Sequence, residues 1–312
     1  MIRFGLCCIF KGEPIRFRRK TAASLKGLPR SRQLELLAEI CRANAESLLS
    51  ALAYCHERGI GDFRINSQIL PLATHPEVGY QLRDLPGGDE IITAFKSCGE
   101  LRRRHGLRTT FHPDQFVLLN SPSAEVTRHS LAELGYQAEV AELVGADVIN
   151  IHGGGGYGDK PAALKRLVKR IKRLPQAVYR RLSLENDDRI YTPGELLPVC
   201  VETGVPLAYD VHHHRCLPDG LSVEEVSERA RATWLEAGRE PCFHLSSPRQ
   251  GWTGPNPRLH HDYIQVEDFP AYWLACWLAC RLGHQERITV EIEAKHKELA
   301  VLRLMAELAG RE

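Results

Sequence analysis

The chain has 312 residues, of which 43% are hydrophobic, so it can bury a large core. This length suits one barrel of roughly 250 residues with loop insertions and gives no reason to expect a second domain. The formal charge of +2, from 41 basic and 39 acidic residues, excludes a surface that is basic throughout, so a nucleic-acid face would need an uneven placement of charge.

Short apolar runs alternate with amphipathic helical stretches along the chain, as expected for a parallel sheet covered by helices. Capping boxes begin at Thr192 and Ser222, and Gly59, Gly145 and Gly204 stand where helices should end. Eight such units in this length predict an α/β fold, a closed (β/α)₈ TIM barrel forming one domain over residues 1–312. The predicted strands are 2–8, 62–66, 108–111, 147–151, 181–184, 206–209, 241–245 and 287–292.

Two connections are long for a barrel, and both follow strands, so both are expected on the face where barrel enzymes keep their active sites. The first, residues 9 to about 32, is basic: from Lys11 to Arg32 there are eight Lys or Arg residues against Glu13. The second, residues 246 to about 265, is rich in Pro, Gly and Trp. A further basic stretch spans residues 160–181, and within it six residues are interpreted as the exposed outer face of a helix: Lys165, Arg166, Lys169, Arg170, Lys172 and Arg173.

The cysteines and the apolar segments bear on the location of the protein. Ten dispersed cysteines without a CxxC pair are typical of reduced, mostly buried residues of a cytoplasmic protein. The short apolar run before Lys11 has no small-residue cleavage site, so we expect no secretory signal. The apolar run 271–280 is half the length of a membrane span and predicts a packed helix.

Potential metal ligands stand at or just past the ends of strands 3 to 8, which meet at one mouth of a barrel. Buried carboxylates and imidazoles must be paired or coordinated, and this many exceed the needs of one tetrahedral ion, so the pattern predicts two or three divalent ions. Imidazole and carboxylate ligands suit Mn²⁺, Zn²⁺ or Fe²⁺. The candidates are His112, His152, Glu185, Asp210, His213, His244 and Glu293, with His75 and His260 on nearby loops.

A cluster of this kind suits hydrolysis of phosphodiesters, because divalent ions activate water and stabilise charge on phosphate. Gly153 to Gly156 follow His152 and could form a phosphate cradle or simply a tight turn.

The ordered set of motifs resembles the UV damage endonucleases and, more distantly, the endonuclease IV group of the same barrel superfamily. The resemblance runs through most of the chain. It is carried by Phe-Arg-Ile-Asn-Ser at 63–67, Ala-Thr-His-Pro at 73–76, His-Pro-Asp-Gln-Phe at 112–116, Leu-Glu-Asn-Asp at 184–187, Asp210 with the following histidines, Phe-His-Leu-Ser-Ser at 243–247, His-His-Asp-Tyr at 260–263 and Glu-Ala-Lys at 293–295.

This resemblance implies incision on the 5′ side of a UV photoproduct in double-stranded DNA, with Mn²⁺ as the expected metal and Zn²⁺ as the alternative. The apolar run 271–280 is too short to predict a membrane span, and no obligate protein partner is inferred. One ion would be held by His112 and His152, with Glu185 bridging to a second. The implied roles of the others are as follows: Asp210, His244 and Glu293 complete the second ion, His213 and His260 hold a third, and Glu185, His75 and Lys295 are the catalytic candidates.

The same resemblance implies residues that contact DNA. Gln115 and Phe116 match a pair that probes the lesion, where an aromatic side chain fills the gap left by flipped bases; burial of Phe116 in the core is the alternative. The other predicted DNA contacts are Arg64 and Asn66 in the 63–67 motif and Arg16, Arg18 and Arg19 in the basic loop.

One departure from the family and two rival functions stay open. Some members have a lysine two residues before the strand 7 histidine, modified to a carbamate that bridges metals, where this chain has Cys242. This difference leaves the third ion and the metal preference open. The rivals are a metal-dependent sugar isomerase or epimerase of the same superfamily and a catalytically silent barrel that binds damaged DNA.

Overall fold

The computed structural model describes residues 2–275 and 287–310. Eight parallel strands pair in sequence order, and β8 closes on β1. The predicted closed barrel is therefore confirmed, with each strand within one or two residues of its predicted bounds. The strands are β1 (Ile2–Cys7), β2 (Asp62–Ile65), β3 (Arg108–Phe111), β4 (Val148–His152), β5 (Leu182–Glu185), β6 (Leu207–Asp210), β7 (Cys242–Leu245) and β8 (Ile288–Ile292).

Helices follow the strands and cover the outside of the barrel. Both predicted capping boxes form, at Thr192 with Glu195 and at Ser222 with Glu225. Gly145 and Gly204 end their helices in the left-handed conformation. The helices are α1 (Arg30–Glu57), α2 (Gly88–Arg104), α3 (Ala124–Val144), α4 (Lys160–Ile171), α5 (Gln176–Tyr179), α6 (Pro193–Thr203), α7 (Val211–Cys216), α8 (Val223–Glu236) and α9 (Lys297–Ala309).

The inside of the barrel is polar, although many TIM barrels fill it with branched apolar side chains. Strand residues alternate between two faces, and in β5 Leu182 and Leu184 pack in the hydrophobic core. Ser183 instead donates to Asn150 of β4 inside the barrel. The last residue of β5, Glu185, lies on the same face as Ser183. Strands β4, β5 and β6 therefore extend one residue beyond the apolar runs that predicted them and end on His152, Glu185 and Asp210.

The opposite end of the barrel is closed by ion pairs rather than by ligand-type clusters. The Arg108 guanidinium bonds the Asp147 carboxylate at 2.9 Å and the carbonyls of Glu240 and Pro241. These contacts tie β3, β4 and the start of β7 together below the mouth. The two ends thus divide the roles expected of a TIM barrel, with stability at one face and candidate chemistry at the other.

The remaining predictions about segments are met in part. Residues 271–275 are helical and Trp273 is buried, whereas residues 276–280 of the predicted packed helix lie outside the described residues. No helix within the described ranges is long and apolar enough to cross a membrane. All eight described cysteines are free and six are buried; Cys276 and Cys280 lie outside.

Candidate metal centre and nucleic-acid face

Side chains from the ends of β3, β4 and β7 and from α7 meet around the carboxylate of Glu185, the last residue of β5. Its Oε1 lies 3.3 Å from Nδ1 of His213, 3.4 Å from Nδ1 of His244 and 4.0 Å from Nδ1 of His152. Its Oε2 lies 2.7 Å from Nε2 of His112. Glu185 is only 1% exposed. The convergence that the sequence predicts at the mouth is therefore present.

Several buried atoms of this cluster have no hydrogen-bond partner among the described residues, and all of them are ligand-type atoms. They are Nδ1 of His152, Oε1 of Glu185, Oδ2 of Asp210 and Nδ1 of His244. A buried polar atom without a partner costs about 1–3 kcal/mol, and more when it is charged. A cation bound among these four atoms would remove that cost by coordinating them. The residues present therefore fit a divalent metal.

The candidate ligands fall into two groups that share Glu185. His112 and His152 form one group with it, and Asp210 and His213 form the other. In each group the ligand atoms lie within 4.8 Å of one another. A carboxylate that belongs to both groups could contact an ion in each of them, so the arrangement agrees with two ions rather than one.

For His112 and His244, contacts at the far side of the imidazole indicate which nitrogen faces the cluster. The Nδ1 of His112 lies 3.0 Å from the Pro113 carbonyl, which can only accept, so this nitrogen donates there and Nε2 is the nitrogen that faces Glu185. The Nε2 of His244 lies 3.2 Å from the Glu291 carboxylate, so its Nδ1 is the free nitrogen. Such partners hold the ring and the tautomer of metal ligands.

Glu291 is a member of the centre that the sequence analysis did not identify. It is 1% exposed and faces Arg64 at 3.0 Å, Thr110 and His244. With Cys242 and His244 it forms a third group of ligand-type atoms. Because the Arg64 guanidinium already lies against Glu291, its charge opposes a second cation there. The alternation Glu291-Ile292-Glu293 was the available signal, since residues two apart in a strand share a face.

The charges of the centre hold its carboxylates ionised despite their burial. Burial alone would raise the pKa of Glu185, but the neighbouring imidazoles of His244, His152 and His112 outweigh it and hold the pKa well below its usual value. Burial also opposes ionisation of Glu291, yet the Arg64 guanidinium and His244 bring its pKa to about 2. The pKa of Glu293 is likewise well below its usual value, against burial, mainly through Arg64. The site is thus supplied with negative charge at neutral pH.

The predicted third ion is less completely assembled. The rings of His213 and His260 have centroids 6.4 Å apart, and Nδ1 of His260 lies 3.8 Å from Glu293 and 3.4 Å from the Ser246 hydroxyl. His212, which the sequence analysis passed over, is fully buried between His260 and Trp252. Neither of its ring nitrogens has a hydrogen-bond partner among the described residues. Roles for His213 and His260 in a third site stay predictions.

Four other predicted residues lie apart from the cluster or are engaged elsewhere. His75 is half-buried, and its Nδ1 accepts from the backbone of Glu77 and Val78. Lys295 is exposed, just after β8. Asn66 is buried and accepts from the Gln68 amide in a turn. Arg64 bonds the carboxylates of Glu291 and Glu293 inside the barrel, which gives it a contact other than the predicted one to DNA.

The predicted probing pair lies on the exposed loop after β3. Phe116 is 75% exposed, so the alternative that it is a core residue is wrong. Gln115 beside it is also exposed. Phe116 borders a groove of about 540 Å³ that is also lined by Lys20, His75 and Asp114. Arg16, Arg18 and Arg19 lie on the loop after β1, at the same face of the barrel.

Part of the basic stretch in α4 has a structural role that the sequence did not indicate. Lys165 and Lys169 are exposed, as expected of an outer helix face. Arg166 instead bonds the carbonyl of Asn120, and Arg170 bonds those of Leu119 and Ser121. The prediction of an outer face is therefore wrong for these two arginines, which hold the end of the loop that carries Phe116.

Comparisons with known proteins agree with this arrangement. The profile of a family described as UV-endonuclease UvdE matches residues 2–312. A UV DNA damage endonuclease of Bacillus velezensis is 35% identical over 99% of this chain and 95% of its own length. One from Bacillus pumilus is 35% identical over 93% and 88%.

Solved structures give the same picture at lower identity. The crystal structure of SacUVDE is 25% identical, with a TM-score of 0.84 over 100% of this chain and 99% of that one. Endonuclease IV from Thermus thermophilus has a TM-score of 0.60 at 16% identity over 99% and 100%, which shows a shared fold alone. On the strength of the match over residues 2–312, the chain belongs to the UV-endonuclease family and is an endonuclease.

Proposed function

We propose that this protein is a repair endonuclease that requires divalent metal and cuts the backbone of double-stranded DNA on the 5′ side of UV photoproducts. The observation that supports a metal-dependent reaction is the group of unpartnered buried ligand atoms around Oε1 of Glu185. The substrate is proposed from the relatives, which are named UV DNA damage endonucleases. The side of incision is proposed from the family resemblance.

As the family resemblance implies, His112 and His152 would hold one ion with Glu185, and Asp210, His244 and Glu293 would hold the second with it. The Nδ1 of His213, which lies 3.3 Å from Oε1 of Glu185, would lie beside the second ion. When bound, the ions would lower the pKa of a water for attack on the phosphate and offset charge on the leaving oxygen. We propose Mn²⁺ first, from the family resemblance, and Zn²⁺ as the alternative, because nitrogen and oxygen ligands accept either.

The other residues would act by holding these groups in place. Asn150 donates to Oε2 of Glu185 and Ser183 donates to Asn150, so the bridging carboxylate is oriented from inside the barrel. Arg64 orients Glu293 by a direct ion pair. The exposed Phe116 would enter the duplex at the lesion, where base-aromatic stacking contributes about 1–3 kcal/mol.

The test is incision of a duplex that carries one defined photoproduct and a label at the 5′ end of the damaged strand. We expect a product whose length places the cut on the 5′ side of the lesion, loss of incision in EDTA and recovery with Mn²⁺. Glu185→Gln should abolish incision, while the matched variant Glu202→Gln, at an exposed position of α6, should retain it. Full incision by Glu185→Gln or in EDTA would refute the metal mechanism, and a cut on the 3′ side would refute the proposed polarity.

The two rival functions are disfavoured by specific observations. A D-psicose 3-epimerase of Clostridium cellulolyticum has a TM-score of 0.54 at 12% identity, which shows the barrel alone. A silent DNA-binding barrel has no need for buried carboxylates held ionised at its mouth, such as Glu185.

A further inference from the structure

The loop after β4 carries an exposed aromatic side chain at the mouth of the barrel. Tyr157 follows the run Gly153 to Gly156, which begins directly after His152, and its side chain is 43% exposed. Its backbone has φ of 49°, in the left-handed region that tyrosine rarely adopts. Because core packing does not explain an exposed ring in a strained conformation, the position suggests a contact outside the chain.

The ring of Tyr157 is held in one orientation by its neighbours. A Cβ built on Gly155 would lie 2.8 Å from Cζ of the ring, so the ring rests where only glycine fits beneath it. The guanidinium carbon of Arg166 lies 5.7 Å from the ring centroid. Arg166 is itself fixed, since its Nε donates to the Asn120 carbonyl at 2.9 Å. The ring is thus oriented before any ligand binds, which lowers the entropy lost on binding.

The surroundings of Tyr157 are basic. Residues 160–173 contain seven Lys or Arg residues and no acid, and Asp159 is used as the cap of α4. Two of the seven are paired, Lys160 with Glu195 and Lys172 with Glu202. Lys165 and Lys169 are exposed on the same helix as Arg166. An aromatic ring beside such a charge excess matches the chemistry of a nucleic-acid backbone with its bases.

The loop of Tyr157 is tied to the loop of the proposed lesion probe. The side chain of Asn120 donates to the Gly155 carbonyl at 2.8 Å and accepts from the Gly155 amide at 3.2 Å. Asn120 is fully buried, four residues after Phe116. The hydroxyl of Tyr191 also donates to the Gly155 carbonyl, at 3.0 Å. Two exposed aromatic side chains, Phe116 and Tyr157, are therefore carried by loops that are joined through hydrogen bonds of the buried Asn120 and Tyr191 side chains.

We propose that Tyr157 and Arg166 form a second DNA contact, in which the Tyr157 ring packs on the duplex that flanks the lesion while the basic residues of α4 approach its phosphates. This inference rests on the proposed function, because it takes damaged DNA as the ligand. A flanking contact has no means of sensing the photoproduct, so it strengthens binding to damaged and undamaged duplexes alike. Phe116, by contrast, contributes to the preference for the lesion.

The experiment measures DNA binding by fluorescence anisotropy with two labelled duplexes of one sequence, with and without a photoproduct. All proteins carry Glu185→Gln, so that no DNA is cut. Tyr157→Asn removes the ring but tolerates the left-handed backbone, and Tyr157→Phe keeps the ring. Val201→Asn, at a 68% exposed position of α6, introduces the same asparagine away from this loop and is the matched control.

We expect Tyr157→Asn to weaken binding of both duplexes about 5- to 30-fold, with an unchanged or higher melting temperature. Tyr157→Phe and Val201→Asn should bind within about twofold of the parent. Equal affinity of Tyr157→Asn and Val201→Asn would overturn the inference. So would a fall in the melting temperature of Tyr157→Asn that accompanies its loss of affinity, since the ring would then be structural. If the parent bound neither duplex, the proposed function itself would fail along with this inference.

Discussion

Substitution of Glu291 tests the electrostatic arrangement beneath the proposed metal centre. One oxygen, Oε2, accepts from Arg64 at 3.0 Å and faces Nε2 of His244 at 3.2 Å, and Oε1 accepts from Thr110. Glutamine could keep its carbonyl oxygen at the Oε2 position, so Glu291→Gln removes charge with little change of shape. A hydrogen bond to a charged group contributes about 1.5–3 kcal/mol and a neutral one about 0.5–1.5, so the loss over two bonds is about 2 kcal/mol.

That loss converts into a measurable shift of the melting temperature. At about 2.1 cal/mol/K per residue, the entropy of unfolding of 312 residues is ~0.65 kcal/mol/K, so Glu291→Gln should melt ~3 °C lower. Glu291→Leu leaves the Nε2–H group of His244 buried without its acceptor, costs about 3–5 kcal/mol and should melt ~5–8 °C lower. Scanning calorimetry in EDTA measures both shifts without any contribution from metal.

The same variants should bind metal more weakly, because Glu291 sets which nitrogen of His244 is free. Loss of such a partner typically lowers metal affinity 10- to 100-fold. Titration of Mn²⁺ against a chelating dye gives the affinities, and Glu202→Gln serves again as the matched control. Wild-type metal affinity in both Glu291 variants would show that His244 needs no such support, and the positioning role would be refuted.

Three further outcomes follow from the described contacts. Mn²⁺ at about 100 times its Kd should stabilise the wild type by about 2.7 kcal/mol per ion, which raises the melting temperature by ~4 °C. An unchanged melting temperature in calorimetry would argue against the proposed metal centre. Phe116→Ala should weaken binding to a photoproduct duplex by ~1–3 kcal/mol with an unchanged melting temperature, because the ring is 75% exposed; unaltered affinity by anisotropy would remove its probing role. Burial raises the pKa of the Asp219 carboxyl, but hydrogen bonds from Gly194, Leu221 and His214 outweigh burial and lower this pKa, so the ionised carboxylate stabilises the fold above the unfolded pKa of about 3.9 and this stabilisation is lost as the pH falls through the folded pKa. The difference in melting temperature between wild type and Asp219→Asn should therefore be constant from pH 7 to about 5 and shrink below about 4. A constant difference at every pH would contradict this assignment.

Much of the fold could be predicted from the sequence because each strand shows itself as a run of apolar residues. The ends of the strands were less predictable, since β4, β5 and β6 continue into His152, Glu185 and Asp210. A polar residue after an apolar run normally marks the start of a loop. Here the polar residues point into a barrel whose interior is itself polar, so a prediction from apolar runs ends each of these strands one residue too early.

The candidate ligands could be predicted as a set, but the contacts that orient them could not. The spacing of Glu291 from Glu293 predicts only that the two share a face, and its partner Arg64 is 227 residues away in the chain. Arg64 was predicted as a DNA contact because it lies in the 63–67 motif of the family resemblance. The closed barrel, in which β1 lies between β2 and β8, shows that the Arg64 charge meets the carboxylates of Glu291 and Glu293.

The distribution of charge inside the barrel explains how a stable fold can contain several buried carboxylates near its mouth. The pKa values of three buried glutamates are lowered, so all three are ionised: Glu185, Glu291 and Glu293. Like charges buried in one barrel repel each other and oppose folding. Arg64 offsets this repulsion for Glu291 in β8 and for Glu293 just after it, but no arginine within the described residues contacts Glu185, whose Oε1 faces the imidazoles. Arg64 thus balances the negative charge beneath the mouth, and the charge of Glu185 at the mouth is available to a bound metal ion. This division places the proposed ions at Glu185 rather than at the deeper Glu291.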